Sequence, residues 1–113
     1  MDPREEDQRR QDERLESLQV MQLREDVRSV LSDATARRLV WVFIEAMDVD
    51  VSAFNTNAMA QSRKIGRQEA GQWWLRAIRD NCPEREAQMR AEANSLMKRL
   101  QSQLQQTEES DDE

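Results

Sequence analysis

The residues best placed to do chemistry are five cations and two adjacent indoles on one stretch of chain. Arg63, Lys64 and Arg67, with Arg76 and Arg79 further along, form the densest basic cluster, and Trp73-Trp74 sits among them. Arg63 and Arg67 are four apart and share a helix face that Lys64 borders. Such a cluster suits contact with a polyanion, and exposed indoles can stack on bases. Two blander readings compete. The arginines could pair with acids of the N-terminal arm, or simply solvate an outer face. Adjacent helical residues point about 100° apart, so one indole belongs in a core and the other, taken as Trp74, near a partner.

Catalysis has little to work with. The chain contains no histidine, so the commonest general base and metal ligand is missing. Cys82 therefore has no imidazole to activate it, and its place before Pro83 at a helix junction marks a structural thiol. Carboxylates are plentiful but fall in solvated runs such as Glu5-Glu6-Asp7, whereas paired catalytic acids need burial to split their pKa values. Asp48 and Asp50 are two apart, a spacing common in ordinary loops. Gly66 and Gly71 follow no strand and make no phosphate loop. The expectation is a protein that is not an enzyme, with no cofactor and no metal.

Four helices must position these residues. Asp2-Pro3 puts a capping carboxylate before a proline at the first helical position, with acids in the first turn. A helix is expected from about 3 to 31, wholly polar over 4–14, with Val20, Leu23, Val27 and Val30 on one docked face. Ser32 or Asp33 caps the next, which runs to about Met47 through Leu39-Val-Trp-Val-Phe-Ile44. Being apolar on most faces, it should be the most buried element. Asp48 to Asn55 reads as a loop whose Val49, Val51 and Phe54 return to the core. A third helix, about 56 to 81, holds both glycines of the chain. Each costs roughly 1 kcal/mol relative to alanine inside a helix. Gly66, Ala70, Trp73 and Ala77 would line a shallow groove for Trp41 or the last helix. Pro83 opens that last helix, about 83–105, with a stripe at Met89, Ala93, Leu96, Met97, Leu100 and Leu104. The Leu96-Leu100-Leu104 seam is narrow, as in a coiled-coil contact.

Composition bounds the rest. Only 37% of the 113 residues are apolar and 35% are charged, which leaves material for one small core. Two prolines, two glycines and no tyrosine argue against a β-sandwich or barrel. The longest apolar run falls far short of the ~20 residues that span a bilayer, so no membrane partner is expected. The net charge is −6, with ten acids against six bases over residues 1–36 and five acids in the last seven residues. An acidic chain makes a poor generic nucleic-acid binder, because affinity for a polyanion comes mostly from phosphate neutralisation. The expected organisation is all-α: a polar arm over 1–14, a three- or four-helix bundle over 15–105, and a disordered acidic tail over 106–113.

From Thr35 to about Asn94 the chain resembles a family of small tailed-phage structural proteins typified by a Bordetella-phage virion protein. The likeness lies in Arg37-Arg38-Leu39, a loop Phe54, Gly66-Arg67 with Gly71 four residues beyond, then Leu75, Ile78, Pro83 and an acidic helix with Met89. The family usually has a second basic residue after Gly-Arg, where this chain has Gln68. The resemblance implies a component of the virion or of its assembly, found in the particle and in the host cytoplasm. Partners would be the chain itself or portal, capsid or internal proteins. Arg63, Lys64, Arg67, Trp74, Leu96, Leu100 and Leu104 are the candidate contact residues. Two alternatives stay open: a scaffolding or DNA-packaging accessory using the basic helix, and a small cytosolic adaptor or regulator.

Overall fold

Local capping chemistry sets the ends of every helix but the last. The computed structural model describes residues 2–50 and 52–111. Within them run α1 (Pro3–Leu31), α2 (Ala34–Ala46), α3 (Ala58–Asn81) and α4 (Glu84–Asp111). The Asp2 carboxylate accepts from the Arg4 amide at 3.1 Å and opens α1. Asp33 accepts from the Ala36 amide at 2.8 Å, and Asn57 from Met59 and Ala60 at 3.0 and 3.1 Å. Each cap satisfies amides that have no carbonyl one turn back. Asp48 takes a positive φ of 52° after α2, and the Gln68 amide holds its carbonyl at 2.8 Å.

The four helices meet over a small area. Val27 and Leu31 of α1, Trp41 and Ile44 of α2, Leu75 and Ile78 of α3, Cys82 at the junction and Met89 of α4 form the buried cluster. Beyond it the chain is drawn out. Its extents are 83 × 41 × 18 Å and its radius of gyration is 21.2 Å, against about 13 Å for a compact chain of this length. Most of α1 and the C-terminal half of α4 project as solvated helices. Pairs such as Arg10–Glu6 and Arg9–Glu13 support the first by only a few tenths of a kcal/mol each.

Several expectations need correction. The docked face of α1 is shorter than its apolar pattern suggested: Val27 and Leu31 are buried, while Val20, Leu23 and Val30 are exposed. The reason lies at the end of α3, where Asn81 accepts from Arg24 through its side chain and from Arg28 through its backbone carbonyl, both at 3.0 Å. Packing begins there, near residue 24 rather than 15. In α2 only one side is covered, so Leu39 and Val42 stay 65% and 56% exposed. Val49 does return to the core, Phe54 is 79% exposed, and Val51 lies outside the described residues. Helix α4 continues to Asp111 where a disordered tail was expected from 106; residues 112 and 113 lie outside the described residues. Only intrahelical bonds, such as Thr107 to the Gln103 carbonyl at 3.0 Å, are seen over that last stretch.

The glycines divide. Around Gly66 there is open space, so the expected groove is absent there. At Gly71 a Cβ would sit 2.6 Å from Val49 Cγ1 and 2.8 Å from Met47 Cβ. The close neighbour is the turn after α2, neither Trp41 nor α4.

Candidate interaction surface

Residues of α2 and α4, which pack against each other, line a groove of about 520 Å³. Its apolar lining includes Trp41, Val42, Met89, Leu96, Met97 and Leu100. Trp41 is held in place twice. Its indole N–H donates to Glu45 at 2.8 Å, and the Arg90 guanidinium lies 5.1 Å from the ring centroid.

At one end Arg37 ties three elements together. Its Nε and Nη2 donate to the two Glu92 oxygens at 2.8 and 3.1 Å, and its Nη1 donates to the Leu31 carbonyl at 2.9 Å. The hydrogen bond from Arg37 is the main influence holding the Glu92 carboxyl below its ordinary value. A planar guanidinium matches a carboxylate in two parallel bonds, a geometry that fixes orientation as well as distance. The link joins the end of α1 to α2 and α4, while Arg79 and Glu86 pair across the α3–α4 junction.

The candidate residues fall into three places. Leu96 and Leu100 are in the groove wall, and Leu104, at 61% exposed, stands one turn beyond. Trp74 packs half-buried against the core, with Trp73 edge-on at 5.3 Å and 48% exposed. The outward indole is thus Trp73, the reverse of the expected pair. Arg63, Lys64 and Arg67 lie on the first half of α3, away from the groove. None of the three forms an ion pair among the described residues, so pairing with the N-terminal arm is absent.

Sequence reasoning missed Arg37 and Glu92 as a pair, and Val42 as groove lining. The usable signal was Arg37 itself, four residues before Trp41 on the inward face of an apolar helix. Cys82 is 3% exposed and its thiol is pushed up, chiefly by burial. No group of three potential metal ligands gathers among the described residues. No helix of the structure is long and apolar enough to cross a membrane. Comparison with family models, curated proteins and solved structures returns no match to this chain.

Proposed function

We propose that this chain is a non-enzymatic virion-associated or morphogenesis protein of a tailed phage, acting by helix-mediated contact with itself or with portal, capsid or internal proteins. The observation that carries the reading is the imbalance between covered and uncovered apolar surface. Among the described residues the buried cluster holds eight, while sixteen large apolar side chains are exposed; of these Val42, Met97 and Leu100 line the groove and Leu104 stands one turn beyond it. Contiguous exposed apolar surface of this kind is where proteins meet partners. A core this small supplies few kcal/mol by itself, so burial against a partner is the obvious supplement. The phage assignment draws on the likeness of residues 35–94 to the virion family. In this reading the covered core acts as a small bundle, and the projecting ends of α1 and α4 offer their faces to partners. Mass spectrometry of purified particles tests it: a fixed copy number supports the proposal, and absence from particles overturns it.

A second reading rests on the unpaired Arg63, Lys64 and Arg67, which suit a scaffolding or DNA-packaging accessory. It requires salt-sensitive binding to duplex DNA.

A further inference from the structure

The groove between α2 and α4 carries charge as well as apolar surface. Arg38 and Arg99 stand exposed on its rim, and neither forms an ion pair among the described residues. Arg37 and Glu92 neutralise each other there, and Glu45 is occupied by the Trp41 indole. The indole N–H is neutral and Glu45 keeps its negative charge, so with Arg38 and Arg99 the rim keeps a surplus of one positive charge.

The chain also holds an undocked helix of the opposite sign. Residues 3–23 of α1 carry six acids against four bases. Arg9 and Arg10 are already engaged with Glu13 and Glu6, whereas Asp7 and Asp12 have no cation beside them among the described residues. Asp7, Gln11, Leu15 and Leu18 follow one another at four, four and three residues, which makes a single stripe with Asp12 at its edge. Leu15 and Leu18 are 56% and 63% exposed. At about 100° per residue this stripe points away from the face of Val27 and Leu31 that docks on the core. Both faces can be engaged at once. Because α1 is unbroken, Leu15 lies about 24 Å from Leu31 along the axis, and its exposure shows that it is not seated in its own groove.

We infer that the Leu15–Leu18 stripe of one copy seats in the α2–α4 groove of a second copy, with Asp7 and Asp12 set against Arg38 and Arg99. The inference deepens the proposed function and takes from it the idea that helix faces mediate assembly. An amphipathic helix laid in an apolar groove is a recurrent recognition mode, with anchors at three- and four-residue spacing. Here the complementary charges set which helix is accepted.

The test is a charge swap on the full chain, read by sedimentation at high micromolar concentration. One variant combines Arg38→Glu with Arg99→Glu, the other Asp7→Lys with Asp12→Lys; all four positions are exposed, and circular dichroism checks that helix content is kept. Each variant alone should associate at least about ten-fold more weakly than the parent, since each brings like charges together. An equimolar mixture should recover parental association, because both of its groove–helix contacts again join opposite charges. Leu15→Ser with Leu18→Ser, which leaves every charge in place, should also abolish association. A monomeric parent, or association indifferent to all three variants, would overturn this docking. A monomer that is nonetheless present in particles at fixed copy number would sink the self-docking alone and leave the proposed function standing.

Discussion

Arg37 of α2 and Glu92 of α4 are 55 residues apart in sequence and meet in a two-bond clasp, at 2.8 and 3.1 Å. The Arg37 side chain is 9% exposed and that of Glu92 40%. The two ends therefore respond differently to removal. Glu92→Leu leaves a guanidinium largely out of water without its counter-ion. Arg37→Leu leaves a carboxylate that water can still reach, but strips the Leu31 carbonyl of its donor. Each single change should lower the melting temperature, and the double change should lower it by less than the sum. A double-mutant cycle with strictly additive losses would show that the clasp contributes nothing as a pair.

The same clasp sets a pH dependence. The hydrogen bond from Arg37 holds the folded Glu92 carboxyl below its ordinary value of 4.5. A carboxyl lowered by folding stabilises the native state at pH values above the unfolded pKa. That contribution is lost as pH falls from about 4.5 through the lower folded value. Thermal unfolding followed from neutral pH to pH ~3 should show Glu92→Gln converging on the parent at the acid end. A constant gap between the two across that window would contradict the assignment.

The two glycines should respond with opposite signs. Gly66 has open space where a Cβ would go, so Gly66→Ala should stabilise by up to about 1 kcal/mol through helix propensity. Gly71→Ala would push into Val49 Cγ1 and Met47 Cβ, and should destabilise by about 1–3 kcal/mol, the usual cost of overpacking. Urea unfolding of both variants measures the difference. Equal effects would mean that the turn after α2 yields freely.

The glycines also show where sequence reasoning stops. Helix limits were legible at Asp2-Pro3, Asp33 and Pro83, because a cap is an interaction among residues within a few positions of each other. Which glycine meets a neighbour depends on Met47 and Val49, over twenty residues upstream, and no local pattern carries that. The inward side of α2 was hidden for a related reason. When nearly every face is apolar, periodicity cannot separate Trp41 and Ile44 from Leu39 and Val42. Of the candidate surface, Leu96 and Leu100 were legible from their four-residue spacing. The other wall of the groove comes from α2, roughly fifty residues earlier. The seam predicted a partner, and tertiary packing alone revealed its opposite wall.

Both arms should be dispensable for folding. Residues 3–20 of α1 and 101–111 of α4 bury no side chain. Deleting either stretch should change the unfolding free energy by less than about 1 kcal/mol, as for surface changes remote from packed features. By contrast Leu31, fully buried, should cost about 2–5 kcal/mol as Leu31→Ala. Denaturant titration of the deletions against Leu31→Ala sets the scale. A deletion as damaging as Leu31→Ala would show that the arms fold back in solution.

The unpaired Arg63, Lys64 and Arg67 supply the last prediction. They face solvent on α3, Lys64 only in part, and could meet phosphates without first breaking an ion pair. Against them stands a net charge of −6, with α1 and the end of α4 both acidic. Each phosphate contact releases counter-ions, so binding that depends on three cations should fade steeply as salt rises. No significant duplex binding is expected near physiological ionic strength. A shift assay at ~50 and ~200 mM salt, with all three residues changed to Ala, decides between the readings. Tight parental binding that collapses in the triple variant would promote the packaging accessory. Weak binding indifferent to the change leaves these side chains as surface charge or as contacts to an acidic protein face.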